Sequence, residues 1–227
     1  YDRDTNNWFR GRERTWKFLK ERPYVMGCFQ WAGIEHRGET VWPRLCSQSG
    51  AIDLYLQRKD AFYQNQSHWT DEPMIHLLPH WNWKGWEGQE ILVYAYTNCS
   101  EAELFLNGCS LGRKKVEACG HGEWRVPYEA GTLVVQGYRN GICVAEDRQE
   151  TTGKPVALKL QIDAGEEIRA DGEDVAVLTC YCVDREGREV PDASMEISFY
   201  TEGPGSIAAT GSDICDHVPP ACPDRKM

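Results

Sequence analysis

The sequence predicts a mainly β protein in which two β-sandwich domains follow a single αβ unit. Three observations predict this fold class. Near the N-terminus, apolar residues at helical spacing lead into a continuous apolar run; short alternating runs then fill the middle of the chain, and two of these end in Asn-Gly. Alternation of apolar and polar residues is typical of half-buried strands, and Asn-Gly is a strong signal for a hairpin turn.

The predicted αβ unit lies at the N-terminus. From Trp8 onward, apolar residues recur among Arg, Lys and Glu until Pro23, which predicts a helix of about three turns within 8–22. The apolar run 24–31 (YVMGCFQW) predicts a strand buried on both faces, as strands of parallel sheets are. One helix and one such strand cannot bury their apolar faces alone, so we expect residues 1 to about 65 to be irregular, rearranged or packed against a neighbouring copy.

The middle of the chain predicts a small antiparallel sandwich. Its strands are predicted where apolar and polar residues alternate, at 90–97, 102–106, 132–138 and 142–146. Asn107-Gly108 and Asn140-Gly141 are predicted to form type I′ turns, because both central residues of such a turn need a positive φ. The stretch around His76 favours a strand and a turn, since Pro79 interrupts a helix.

A second β unit follows the polar linker 150–155. Its strands are predicted near 156–162, 175–183 and 195–200, with a turn at 184–188. The chain thus divides into three predicted domains, 1–68, 69–152 and 153–227. The last of these stops before a sandwich would be complete, so we expect it to be truncated.

Composition narrows the range of partners and cofactors. A formal net charge of −10, from 25 basic and 35 acidic residues, disfavours nucleic acid as a partner, and the longest apolar runs are too short to span a membrane. No cofactor is indicated, and no metal site is predicted, because paired CxxC motifs are absent and Pro79 separates His76 from His80. Ten scattered cysteines favour free thiols in a reduced or anaerobic setting such as a bacterial cytoplasm.

The candidate binding residues follow the predicted buried strand. The segment 27–39 (GCFQWAGIEHRGE) places Trp31, Glu35 and Glu39 directly after it, at the end where the active sites of α/β barrels lie. A Trp ring offers a flat apolar face to the C–H side of a sugar, and carboxylates accept hydrogen bonds from its hydroxyls. A core tryptophan followed by a charged loop fits the same pattern equally well.

The same segment resembles the eighth barrel strand of glycoside hydrolase family 2 enzymes of the β-galactosidase type, whose usual pattern is close to GxFxWTGxDYxGE. Further matching motifs follow in the same order, at 49–54 (SGAIDL), 59–63 (KDAFY), 76–83 (HLLPHWNW), 101–108 (EAELFLNG), 110–112 (SLG) and 203–205 (GPG). The resemblance therefore runs through nearly the whole chain and is specific.

The resemblance implies the last αβ unit of a (β/α)₈ barrel followed by two immunoglobulin-like β-sandwich domains. The implied activity is that of a retaining exo-glycosidase acting on terminal β-galactosides, in which one carboxylic acid protonates the leaving oxygen and a second carboxylate forms the glycosyl-enzyme. Both are Glu residues on earlier barrel strands, expected upstream of Tyr1. The chain would then carry no catalytic residue and be inactive alone, as an internal piece of a larger protein.

The family resemblance also assigns roles to the candidate residues. Trp31 becomes the stacking platform of a sugar subsite, with Glu35 and Glu39 as substrate-binding residues near its rim. The sandwiches would brace the barrel, cap the site or help to form a homo-oligomer. The family usually has Asp-Tyr where this chain has Glu35-His36. Because Glu is one methylene longer than Asp, the sugar preference is not carried over.

Two alternatives remain open from the sequence. Glu35 and Glu39 could themselves be an acid/base pair, although nothing in the sequence sets the separation that such chemistry needs. The chain could instead be a non-catalytic carbohydrate-binding or adhesion module of immunoglobulin-like domains, with exposed Trp81, Trp83 and Trp86 as its sugar platform. A packing role for these three tryptophans explains the WNWKGW sequence equally simply.

Overall fold

A computed structural model describes residues 11–163, 167–212 and 225–226. The described residues form two compact units, the first built from 11–36 and 48–151 and the second from the remainder. In chain order the elements are α1 (Arg12–Lys20), α2 (Asp60–Trp69), β1 (Ile75–Leu78), β2 (Glu90–Thr97), β3 (Glu101–Leu106), β4 (Cys109–Lys115), β5 (His121–Pro127), β6 (Thr132–Arg139), β7 (Ile142–Glu150), β8 (Ala157–Ile162), β9 (Leu178–Val183), β10 (Ile197–Ser198) and β11 (Arg225–Lys226). The predicted mainly β fold class is confirmed.

The first unit contains an antiparallel β-sandwich of two sheets. One sheet has the strand order β1-β2-β5 and the other β4-β3-β6-β7. Burial alternates along β3 and β5, so one face of each strand enters a shared core that includes Val93, Leu104, Trp124 and Val135. Burying one valine or leucine side chain contributes about 1.5–3 kcal/mol, so this core is the main source of the unit's stability.

Both predicted Asn-Gly turns are confirmed. Asn107 and Gly108 have φ values of 49° and 81°, and Asn140 and Gly141 have φ values of 52° and 79°. These pairs connect β3 to β4 and β6 to β7, where the type I′ twist matches that of the strands. The strand around His76 is confirmed as β1, which pairs antiparallel with β2.

The N-terminal part of the first unit departs from the predicted αβ unit. The predicted helix is present as α1, while its expected beginning at Trp8 lies outside the described residues. The predicted buried strand over 24–31 is wrong, because these residues form no strand and both Met26 and Phe29 are fully exposed. A strand needs hydrogen-bonded neighbours, and no described residue pairs with 24–31 as part of a sheet.

A second helix, α2, forms where the sequence predicts none. Between α1 and α2 the described backbone contains only turns, bends and isolated bridges, in agreement with the expected irregular N-terminal part. From the sequence, this stretch was noted only for the family-like motif 59–63 (KDAFY), whereas in the structure Asp60–Trp69 is helical. The helix packs beside β1 and β2 of the sandwich.

The second unit contains two two-stranded antiparallel sheets, β8-β9 and β10-β11. The predicted turn after β9 is organised by Asp184, whose buried carboxylate accepts hydrogen bonds from the backbone of Glu186 and from the backbone and side chain of Arg188. Burial raises the pKa of Asp184, but hydrogen bonds from the Gly153 amide and from Arg188 outweigh it and hold this pKa well below its usual value.

Neither described helix is long and apolar enough to cross a membrane. The described cysteines form no disulfide with one another; they are Cys28, Cys46, Cys99, Cys109, Cys119, Cys143, Cys180 and Cys182. Cys180 and Cys182 lie two apart on β9, as predicted for small side chains on one face of a strand.

Candidate functional site

Two short stretches of backbone lie side by side in the first unit and support the predicted sugar-binding residues. We call residues 32–35 and 49–52 the paired segments. The Ile52 amide donates to the Gly33 carbonyl at 3.0 Å, and the Glu35 amide donates to the Ile52 carbonyl at 2.9 Å. These hydrogen bonds form a short parallel pairing. The sequence motifs 27–39 and 49–54 gave no indication that the two stretches lie side by side.

The Glu35 side chain is buried and ion-paired. Only 3% of the residue is exposed, and its carboxylate contacts the ammonium group of Lys59. Lys59 precedes α2 as its N-cap residue, and its ammonium group also donates to the Gln48 carbonyl at 3.0 Å. The sequence motif 59–63 (KDAFY) does not by itself indicate the role of Lys59, because a contact across 24 residues leaves no local pattern.

Gly50 lies where the paired segments approach most closely. A Cβ atom at this position would lie 2.3 Å from the Glu35 amide nitrogen and 2.7 Å from the Glu35 Cγ. The absence of a side chain at Gly50 is therefore what allows Glu35 to reach its buried position.

Replacing Gly50 with alanine is expected to disrupt the paired segments. The new methyl group would meet backbone that cannot move aside without breaking the pairing, at a cost of about 1–3 kcal/mol. Hydrogen exchange of the peptide containing residues 32–35 and urea unfolding would measure the effect. The matched control is Gly33→Ala, where a Cβ would have no neighbour within 4 Å. Equal effects of the two substitutions would contradict this interpretation.

Trp31 precedes the paired segments and is accessible to a ligand. The residue is 64% exposed, and its ring makes an edge-on contact with the His36 ring at a centroid distance of 5.4 Å. The Trp31–Ala32 peptide bond is cis. The core-tryptophan interpretation therefore does not apply to Trp31, while its contact with a sugar stays a prediction.

Glu39 is placed differently from the other two predicted residues. It is exposed, has a φ of 49°, and lies in the stretch 37–47 that belongs to the second unit, whereas Trp31 and Glu35 belong to the first. The structure thus brings Trp31 and Glu35 into one unit. The substrate-binding role of all three residues stays a prediction.

Comparison with known proteins identifies the family. Residues 88–145 match the family described as Domain of unknown function (DUF4982), and residues 158–226 match Glycoside hydrolase family 2 C-terminal domain 5. The chain is 37% identical over 206 residues to the beta-galactosidase BoGH2A of Bacteroides ovatus, covering 88% of this chain and 24% of that protein. The chain belongs to glycoside hydrolase family 2.

Further relatives support the assignment to family 2. A putative beta-glucuronidase of Formosa agariphila is 35% identical, covering 83% of this chain and 19% of that protein. Among solved structures, a beta-glycosidase from Bacteroides vulgatus has a TM-score of 0.80 at 36% identity, covering 86% of this chain and 25% of that one. A family 2 member from Bacteroides cellulosilyticus has a TM-score of 0.78 at 28% identity, with coverages of 84% and 30%. The chain spans about a quarter of the length of these relatives.

A second polar cluster in this family 2 chain joins α2 to the sandwich. The His76 ring lies 3.0 Å from the Asp60 carboxylate and 3.6 Å from that of Asp147, and it stacks on Tyr63 at 3.8 Å. A shallow cavity of about 420 Å³ lies beside Tyr63, His76 and Asp147. No three His, Cys, Asp or Glu side chains in the described ranges are arranged to hold a metal. The contacts of His76 with Asp60 of α2 and Asp147 of β7 join the helix to the sandwich.

The tryptophans of the WNWKGW sequence do not form the exposed platform that the binding-module alternative requires. Trp81 is 0% exposed, and its indole N–H donates to the Glu129 carbonyl at 2.9 Å. Trp83 is partly buried against the sandwich core, and only Trp86, at 47%, is substantially exposed. The expectation of an exposed Trp81 is wrong because the sandwich core encloses it.

Proposed function

We propose that the protein containing this chain is a retaining exo-glycosidase that hydrolyses terminal β-galactosides. The observation that carries the proposal is the exposed Trp31 ring, placed directly before the paired segments in a chain of glycoside hydrolase family 2. A rigidly supported tryptophan face is what a sugar subsite needs, because the ring must meet the C–H face of the sugar in a set orientation.

The residues of this chain act by binding and orienting the sugar. Trp31 stacks on the ring of the terminal sugar. For Glu39 we keep the substrate-binding role that the family resemblance implies. Glu35 holds the backbone beside Trp31 through its ion pair with Lys59. The acid and the nucleophile, about 5 Å apart in retaining enzymes, belong to the three quarters of the relatives' length that this chain does not span. The chain alone is therefore inactive.

The domain limits predicted from the sequence belong to this proposal. Residues 1–68 complete the catalytic barrel, 69–152 form the first sandwich, and 153–227 form the second. The sandwiches brace the barrel and provide surfaces for a homo-oligomer.

A neutral sugar is favoured over an acidic one. Relatives carry both names, beta-galactosidase and beta-glucuronidase, and a glucuronide has a carboxylate that needs a cationic partner. The Lys59 ammonium is already paired with the Glu35 carboxylate, and the Arg12 guanidinium donates to the Ser49 carbonyl at 3.3 Å. The net charge of −10 adds to this preference, because it repels an anionic substrate.

Hydrolysis of nitrophenyl β-glycosides tests the proposal. We expect turnover by the full-length enzyme and none by the 227-residue chain, with the galactoside hydrolysed fastest and Trp31→Ala lowering kcat/KM about tenfold or more. Turnover by the chain alone would contradict the proposal and direct attention to Glu35 and Glu39. Preference for the glucuronide would contradict the choice of sugar.

A further inference from the structure

We infer that Lys59 is a positioning residue for the sugar site, acting through Glu35 and the paired segments to hold Trp31. Lys59 itself touches no sugar. The inference rests on the proposed function for the nature of the ligand that Trp31 meets. Its structural part rests only on contacts within the first unit.

Burial of Glu35 makes its ion pair with Lys59 important to the local structure. The Glu35 side chain is removed from water almost completely, whereas the Lys59 side chain keeps about a third of its surface exposed. Burying a carboxylate is costly unless it is paired with a cation, and the ammonium group of Lys59 supplies such a pairing for Glu35. Because the Lys59 side chain is partly exposed, replacing it with a neutral side chain leaves little empty space. Because Glu35 is buried, the same replacement weakens the stabilisation of its charge.

Lys59 binds both ends of the stretch that includes the second paired segment. Its ammonium group donates to the Gln48 carbonyl at 3.0 Å, just before this segment, and its backbone amide donates to the Ala51 carbonyl at 3.0 Å, within it. The same ammonium group contacts Glu35 at the end of the first segment. One residue therefore connects both segments to the start of α2.

The paired segments transmit this restraint to Trp31. The Ala32 amide donates to the Ser49 carbonyl at 3.2 Å, and the Ala51 amide donates to the Ala32 carbonyl at 3.2 Å. Both polar groups of the residue that follows Trp31 are thus held by the segment that Lys59 anchors. Loss of the Lys59 contacts would not remove the Trp31 ring, but it would leave the ring free to change its orientation.

The test compares lysine and glutamate variants in the full-length enzyme that contains this chain. Lys59→Met removes the charge, Lys59→Arg keeps it, and the double variant Glu35→Gln with Lys59→Met removes both charges. Lys84→Met, at an exposed lysine in the loop before β2, is the matched control. Kinetics on nitrophenyl β-galactoside are measured together with hydrogen exchange of the peptide spanning residues 31–36.

We expect Lys59→Met to lower kcat/KM about tenfold, mainly through KM, and to accelerate exchange at 31–36. Lys59→Arg and the double variant should recover much of both losses, because the first keeps the positive charge beside Glu35 and the second removes the charge of the buried carboxylate together with that of Lys59. A Lys59→Met variant that matches Lys84→Met in both measurements overturns the inference. Faster exchange with an unchanged KM also overturns it, since that result assigns Lys59 a purely structural role.

The inference and the proposed function can fail separately. If no variant and no wild-type enzyme hydrolyses any glycoside, the proposed function is overturned. Accelerated exchange at 31–36 in Lys59→Met, recovered in Lys59→Arg, would in that case still support the positioning of this stretch by Lys59.

Discussion

Replacement of Trp81 with alanine is expected to lower the free energy of unfolding by about 3–5 kcal/mol. The Trp81 ring is fully buried, packs edge-on against Tyr128 at a centroid distance of 5.2 Å and donates its indole N–H to the Glu129 carbonyl. The substitution creates a cavity in the sandwich core and leaves this carbonyl without its donor. Denaturant unfolding, followed by circular dichroism, measures the loss.

Trp86→Ala is the matched control. It removes the same kind of side chain five residues further along the chain, at a position where the tryptophan is 47% exposed. We expect a loss below about 1 kcal/mol, because the Trp86 ring contributes mainly an edge contact with Trp83. Equal losses for the two variants would contradict the burial argument. A loss of sugar affinity in Trp86→Ala without a change in stability would revive the binding-module alternative.

Docking of α1 on the sandwich is expected to depend on pH. Glu13 of α1 lies 2.7 Å from the ring of His121 on β5, and Lys17 lies 2.6 Å from the same carboxylate. The ring also lies 3.6 Å from Glu123 and meets the edge of Tyr94. No described residue of α1 is buried, and besides these polar contacts the helix is held by Trp16, whose ring packs against His68 and Trp69 of α2.

The two partners shift each other's pKa in opposite directions. The hydrogen bond with His121 outweighs the effect of burial and lowers the pKa of Glu13 from 4.5 to about 2. The same hydrogen bond outweighs burial at His121 and raises the pKa of the imidazole above its usual 6.5. The pair is therefore strongest when Glu13 is ionised and His121 is protonated.

These directions set the pH window in which α1 is held. The contribution of His121 is fully present below 6.5 and is lost as pH rises through its raised pKa. The contribution of Glu13 is present above 4.5 and is lost as pH falls toward about 2. We therefore expect the firmest docking between 4.5 and the raised pKa of His121, and a loss of about 1 kcal/mol above it, since the pair is partly exposed to water.

Hydrogen exchange of α1, corrected for the intrinsic effect of pH on exchange, measures this dependence in the wild-type protein and in His121→Gln. The variant keeps a hydrogen-bonding side chain that does not titrate. We expect protection of α1 to fall on the alkaline side in the wild type and to stay level in the variant. A level profile in the wild type would show that His121 does not control the docking.

The sequence by itself determined the features that depend on neighbouring residues. The strand-sized apolar run within Glu90–Thr97 predicted β2 with its observed bounds, and both faces of this strand are buried, because Val93 and Ala95 enter one apolar cluster and Tyr94 and Tyr96 another. Asn107-Gly108 and Asn140-Gly141 predicted their turns because few other residue pairs adopt two successive positive φ values. The motifs of family 2 likewise indicated Trp31 and Glu35 as candidate substrate-binding residues.

The tertiary structure alone decided the features that depend on distant residues. Residues 24–31 have the composition of a buried strand, yet they form none, because a strand requires partners that the described residues do not supply. Trp81 and Trp86 occur in one short motif, but only the former enters the core. Lys59 reaches Glu35 across 24 residues, and no local pattern predicts such a pair. Burial and charge pairing are properties of the folded arrangement, so they could be assigned only from the structure.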